Sequence, residues 1–173
     1  MEDWPDVAAY SMGPEFARYI PLPPQTEDSA RAFVEERVRS GQPDSAGNWH
    51  FAIQRADDPR LIGSVRIGVR EPTHGQGDVG YALHPAFWGR GYMTEALVRL
   101  LAFGFEELGL ERIWATADIR NARSWRVMER AGMEREGVMR HHRCHRGEWR
   151  DSVLYGVVRP IGPISGHAQT ARS

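Results

Sequence analysis

The 173-residue sequence contains no lysine: its 22 Lys-plus-Arg positions are all arginine. That excludes every phosphate loop of the Gly-x-x-x-x-Gly-Lys type, whose lysine reaches the terminal phosphates. A single cysteine, Cys144, excludes an intramolecular disulfide and any zinc site built on cysteine pairs, and it points to a reducing compartment. No apolar run approaches the roughly 20 residues of a membrane-spanning helix. The start, Met1-Glu2-Asp3-Trp4-Pro5, is acidic where a secretory leader would be basic and then apolar. These absences predict a cytoplasmic protein with no membrane segment and no metal.

What is present suits one folded domain. Hydrophobic residues make up 41% of the chain and charged residues 26%, proportions of ordinary globular proteins. The formal net charge of -1 hides an uneven distribution. Arginines crowd the stretch from Arg120 to Arg150, while Glu2, Asp3, Asp6, Glu15, Glu27 and Asp28 make the start acidic. A basic half suits a polyanionic ligand, either nucleic acid or a phosphate-bearing cofactor, or simple solvation.

Residues 1–25 read as a loop or short helical turn. Thr26 then caps a helix whose first turn carries Glu27 and Asp28 and whose apolar positions are Ala30, Phe33, Val34 and Val38, with Gly41 and Pro43 as its stop. Alternation through Trp49, Phe51 and Ile53, then Leu61, Val65, Ile67 and Val69, then Val79, Tyr81 and Leu83 predicts a three-stranded meander. A long helix with Met93, Leu97, Leu100, Leu101 and Leu108 on its apolar face links this meander to a strand over Ile113, Ala115, Ala117 and Ile119, so those two strands should be parallel. Asn121 caps a short helix closed by Gly132, and a hairpin turning at Arg146-Gly147 follows. The expectation is one α/β domain with a mixed sheet over residues 1–159 and a disordered tail over 160–173.

Chemistry concentrates where the third strand meets the long helix, in Trp88-Gly89-Arg90-Gly91-Tyr92-Met93-Thr94. Two glycines spaced Gly-x-Gly at a helix start let backbone approach a ligand closely and aim free amides and the positive helix end at an anion. A tight turn that merely needs glycine is the competing reading. A dinucleotide fingerprint fits poorly, because Thr94 stands at its third glycine and meander strands precede it.

This segment resembles the acyl-CoA loop of the GNAT N-acetyltransferases, and more specifically their RimJ/RimL-like branch. Val79-Gly80-Tyr81-Ala82-Leu83-His84-Pro85 is similar to that branch's lead-in strand, Thr94-Glu95-Ala96-Leu97 to its helix opening, and Asn121-x-x-Ser124 through Ala131-Gly132-Met133 to its second CoA-side motif. Gly147-x-x-x-Asp151-x-x-x-Tyr155 resembles its closing strand. Three departures accompany the likeness. Met93 replaces the usual small residue, the family's first strand is missing from the start of the chain, and Met128 occupies a position where many relatives carry a proton-donating tyrosine.

The resemblance implies acetyl transfer from acetyl-CoA to a primary amine by direct attack in a ternary complex. It implies cofactor contacts from Leu83, His84, Trp88, Gly89, Arg90, Gly91, Tyr92, Met93, Thr94, Asn121 and Ser124, with arginines such as Arg123 and Arg126 near the phosphates. Asp78 is either a base for the amine or a solvated strand-end acid. His84 either meets the cofactor or packs in the turn, and Asn121 is a ligand, an N-cap or both. Ser124 is the hydroxyl available to replace the missing tyrosine. Alternation places His141 and Cys144 on opposite faces of the hairpin, and a solvated hairpin outweighs a metal site there. The arginine-rich stretch Arg140 to Arg150 is expected to rim the acceptor cleft and so to favour a protein or peptide N-terminus over a polycation. The alternatives are a small-amine acetyltransferase acting on a polyamine, amino acid or antibiotic, and an idle acyl-CoA sensor or nucleic-acid-binding module. The missing strand leaves a sheet edge that a homodimer would cover.

Overall fold

The computed structural model describes residues 4–19, 26–38, 43–44 and 46–160. Helices α1 (Trp4–Ser11), α2 (Pro14–Ala17) and α3 (Glu27–Val38) precede strands β1 (Asn48–Arg55), β2 (Asp58–Glu71) and β3 (Gln76–Leu83). Helix α4 (Tyr92–Glu106), strand β4 (Arg112–Asp118), helix α5 (Ala122–Arg130) and strands β5 (Glu134–His145) and β6 (Glu148–Val158) complete the chain. The beginning is more ordered than its composition suggests, since α1 buries Val7, Ala8 and Tyr10 against Ala30 and Val34 of α3. The expected stop at Gly41 and nearly all of the expected tail lie outside the described residues. Thr26 caps α3 as expected: its Oγ1 accepts from Ser29 N at 3.2 Å while Ser29 Oγ accepts from Thr26 N at 2.8 Å.

The six strands form one mixed sheet in the order β1-β2-β3-β4-β6-β5. Among the described residues no strand precedes β1, which forms an edge of the sheet. Strands β1 to β3 are the antiparallel meander, and β4 runs parallel to β3, as its helical crossover requires. That parallel ladder is short. It pairs Gln76, Gly77 and Asp78 with Arg112, Ile113 and Trp114, and then the strands part, leaving residues 79–83 of β3 without a partner in β4.

Alternation along β3 sends Val79 and Ala82 to opposite faces. Val79 joins Val65, Ile67, Ile113 and the apolar face of α4, where Leu97 is fully buried, in the main core. Ala82 packs with the α1–α3 cluster on the other face. Gly104 lets α4 sit close to the sheet: a Cβ there would lie 2.6 Å from Ile67 Cδ1 and 2.7 Å from Ile113 Cδ1. Helix α5 ends with Gly132 at a φ of +88°, its amide bonded to the Glu129 carbonyl at 3.0 Å.

In β5 the expected alternation fails. The register passes from Met139↔Ser152 to Arg143↔Arg150, so residues 140–142 bulge out of the ladder. His141 takes a φ of +47°, and its amide donates to Asp151 Oδ1 at 2.8 Å. The facing of His141, His142 and Cys144 therefore cannot be read from simple period-two counting.

Candidate active site

Where β3 and β4 part, a cavity of about 310 Å³ opens, lined from both faces of the sheet. The α4 end contributes Trp88, Gly89, Gly91, Tyr92, Met93 and Thr94. Gly89 and Gly91 have φ of +75° and +87°, and a Cβ on either would meet nothing within 4 Å. Glycine serves the left-handed backbone there, which costs other residues about 1–2 kcal/mol, and leaves the space above it open. Gly91 is the N-cap of α4 and makes no side-chain cap. Since the helix's amide bonding begins with Glu95 N to Gly91 O at 3.0 Å, the amides of Tyr92, Met93 and Thr94 have no intrahelical acceptor. Together with the positive helix end they form a seat for an anion.

Helix α5 supplies the facing wall with Asn121, Arg123, Ser124, Arg126, Val127 and Arg130. Arg123 stacks 4.7 Å from the centroid of the Trp88 ring, and the Trp88 indole N–H donates to the Leu83 carbonyl at 2.8 Å. The loop is thereby tied both to the end of β3 and to α5. Asn121 does act as the N-cap, its Oδ1 accepting from Ser124 N at 3.3 Å, and it also lines the cavity.

Tyr81 crosses the gap between the strands. Its hydroxyl donates to the Ser124 carbonyl at 2.9 Å and lies 3.0 Å from Ser124 Oγ. Burial pushes the phenol far above its ordinary pKa, against a smaller opposing effect of the Ser124 bond, so Tyr81 stays protonated. The sequence placed Tyr81 in the lead-in strand but attached no role to it.

The last wall comes from a segment in which the sequence shows no motif. Tyr10, Glu15, Phe16 and Tyr19 line the cavity from α1, α2 and the turn after them. A cluster of three aromatics around one acid was the available signal, hidden in a segment read as irregular.

Several expected site residues lie elsewhere. Asp78 belongs to the last pair of the parallel ladder, before the strands part, and does not line the cavity. Its side chain, 9% exposed, is held by Arg66 at 3.0 and 2.7 Å and by Arg70 Nε at 2.5 Å. A carboxylate so engaged is a structural anchor, because taking a proton from an amine would break charge-assisted bonds to two guanidinium groups. The anchor extends through Asn48 Oδ1, which accepts from Arg70 Nη2 at 2.5 Å, to Asp44, which accepts from His50 Nε2 at 3.0 Å. His84 is absent from the lining too: its Nδ1 accepts from Ala86 N at 3.1 Å, capping the short turn Pro85–Phe87. Arg90 is exposed and sits 5.8 Å from the Phe87 ring centroid.

Met93 lines the cavity while its side chain is buried with the core, and Met128, 1% exposed, also packs there. No residue of the Arg140 to Arg150 stretch lines the cavity. Arg150 instead pairs with Asp118 and Glu148 and donates to the Arg18 carbonyl at 3.0 Å. Cys144 is exposed. Among the described residues no three His, Cys, Asp or Glu side chains converge as a metal site, and no helix is long and apolar enough to cross a membrane.

Residues 1–134 match the acetyltransferase (GNAT) domain family. The chain is 32% identical over 157 residues to YnaD, an uncharacterised N-acetyltransferase of Bacillus subtilis, covering 91% of this chain and 88% of that protein. It is 29% identical over 114 residues to the ribosomal protein uS5-alanine N-acetyltransferase of Escherichia coli, covering 65% of this chain and 58% of the relative. Among solved structures, a GNAT-family acetyltransferase from Bacillus anthracis superposes with a TM-score of 0.79 at 31% identity, over 91% of this chain and 89% of the other. With a family match over most of its length and a close structural counterpart along nine-tenths of it, the chain belongs to the GNAT family and is an N-acetyltransferase whose donor is acetyl-CoA.

Proposed function

We propose that this enzyme belongs to the RimJ/RimL-like branch and acetylates the α-amino group of a protein or peptide N-terminus in the cytoplasm. The observation that carries the choice of acceptor is the single acid on the cavity wall. Among the described lining residues Glu15 is the sole carboxylate. One carboxylate matches the one ammonium group that a peptide brings on a neutral or acidic chain, whereas a polyamine or aminoglycoside carries several positive charges for which this wall offers no further acid. The likeness to an enzyme named for a ribosomal protein's alanine supports the same direction.

The residues present fit acetyl-CoA. The open backbone at Gly89 and Gly91 and the amides of Tyr92 to Thr94 suit a pyrophosphate, and Arg123 and Arg126 suit the remaining phosphate charge. Bound there, acetyl-CoA supplies an acyl group already activated as a thioester. The chain's tasks are then to hold a neutral amine against that group, to polarise its carbonyl with backbone amides near Leu83, and to furnish a proton to the departing sulfur. As the C–N bond forms and the C–S bond breaks, Ser124 Oγ gives its proton to the sulfur and regains one from the amine nitrogen, so no net proton is consumed; Asn121 orients the pantetheine arm.

The test is thiol release from acetyl-CoA with a panel of acceptors. Peptides beginning with serine, alanine or threonine and continuing with acids should outperform spermidine, at rates that fall as salt rises. Fast turnover of spermidine with none of any peptide would overturn the choice of acceptor. Tight donor binding without turnover of any amine would show a sensor instead of an enzyme.

A further inference from the structure

We infer that Glu15, with the aromatic wall of Tyr10, Phe16 and Tyr19, is the subsite that docks the acceptor's ammonium group. This rests on the cavity being the transferase site. The cavity is lined from both faces of the sheet. On the α4 and α5 side, free helix amides and arginines form a surface for anions. Tyr10 and Phe16 pack with the α1–α3 cluster on the other face of β3, and Glu15 stands beside them. A donor bound along the first side leaves the second for the acceptor, and the gap beyond Asp78↔Trp114 joins the two.

Glu15 suits this task chemically. Every acceptor amine enters water mainly as ammonium at neutral pH, with a pKa near 8 for an α-amine and near 10.4 for an alkyl amine. A carboxylate flanked by aromatic rings is a fitting receptor for such a cation. Glu15 is the sole acid among the described lining residues, and its side chain is 40% exposed. Its neighbours hold it loosely: Arg18 Nη1 lies at 3.8 Å and Arg123 Nη1 at 4.0 Å, both beyond hydrogen-bond length. Arg123 is stacked on Trp88 and placed for donor phosphate. The other charged or titratable groups on the wall are Arg126 and Arg130 of α5 and the phenols of Tyr10, Tyr19, Tyr81 and Tyr92. None of these is an anion that could replace Glu15 near neutral pH.

The experiment compares wild type with Glu15→Gln, an isosteric change at a partly exposed site that leaves folding intact. With saturating CoA present, calorimetry measures binding of a Ser-Ala-Glu peptide, its N-acetylated form, and butylamine. Wild type should bind the free-amine peptide about tenfold more tightly than Glu15→Gln does at pH 7, with no difference for the N-acetylated peptide and equal CoA affinity in both proteins. KM for the peptide in the thiol-release assay should show the same tenfold ratio. The ratio should shrink to about twofold one unit above the amine's pKa, near pH 9, because few acceptors then carry the charge Glu15 attracts. A merely structural role would give a ratio independent of pH. Equal peptide binding by wild type and Glu15→Gln overturns the subsite, whereas Glu15-dependent binding without any thiol release overturns the transferase reading and leaves the subsite standing.

Discussion

The Tyr81 hydroxyl has one proton and two partners, the carbonyl and the Oγ of Ser124, at 2.9 and 3.0 Å. A carbonyl only accepts, so the phenol's proton goes to it, and the Ser124 hydroxyl must donate to Tyr81 in return. At rest the Ser124 proton is therefore engaged by Tyr81, which lines the same cavity. To protonate a departing sulfur that proton must turn, drawn by an acceptor stronger than a neutral phenol.

Tyr81→Phe removes this arrangement. It removes the bond that fixes the Ser124 Oγ rotamer, a loss of about 1–1.5 kcal/mol, or roughly tenfold in kcat. Donor affinity should change less than about threefold. Combined with Ser124→Ala, which removes the proton itself, Tyr81→Phe should add little, so a double-mutant cycle reads the coupling. Losses that simply multiply would assign Tyr81 to packing alone.

The glycine at 91 is tested by charge and backbone separately. Asparagine tolerates the left-handed conformation better than most residues, so Gly91→Asn isolates added bulk, while Gly91→Asp adds an anion in the proposed phosphate seat. Isothermal titration should show acetyl-CoA affinity reduced by tenfold or more in the aspartate variant relative to the asparagine variant. Matching affinities would move the phosphates elsewhere.

Asp78→Asn should act on stability and leave the pH profile of the rate in place. Removing the charge leaves Arg66 and Arg70 facing a neutral amide. Because both guanidinium groups are about a third exposed, the loss should be roughly 2 kcal/mol, below that of a fully buried pair. Urea unfolding measures it. A rate deficit that vanished at high pH would restore Asp78 as the base.

Acid should unfold the protein progressively below about pH 4. Burial works to raise the Asp118 carboxyl, but hydrogen bonds from Arg120 and the charges of Arg120 and Arg150 outweigh it and hold it low. Glu136 is lowered chiefly by its hydrogen bonds with Arg112, and Asp58, hydrogen-bonded by Arg60, is lowered to about 2. A carboxyl whose folded pKa lies below its unfolded value of about 4 contributes fully above that value and loses its contribution as pH falls through the folded one. Thermal melts between pH 6 and pH 2 should be flat at first and then decline. Asp118→Asn should start lower and decline less.

The sheet and its central turn were readable because they rest on local rules: period-two alternation in β1 to β3, helical spacing in α4, and glycines where φ is positive. Four residues expected at the donor end do come together in the cavity lining for the same reason, since Gly89, Gly91, Asn121 and Ser124 all sit at helix starts. Asp78 was misread because its position in the strand says nothing about Arg66 and Arg70, which β2 delivers only once register is set. The wall of Tyr10, Glu15, Phe16 and Tyr19 depends on packing against β2 and β3, where the Tyr10 hydroxyl donates to Ser64 Oγ 54 residues away and Ala82 joins the cluster, which no local pattern encodes. The bulge at residues 140–142 likewise escapes a reading that counts by twos.

Among the described residues, the three cations that line the cavity are all guanidinium groups. An ammonium group could meet the same phosphates, but whenever it lost its proton it would be a competing nucleophile beside a reactive thioester. Guanidinium is delocalised and does not deprotonate in proteins, so a wall built from it is inert toward a thioester. The absence of lysine extends this to the whole sequence: no side-chain amine is present to be acetylated. In a large excess of its own reagent the enzyme loses no side-chain positive charge to amine acetylation.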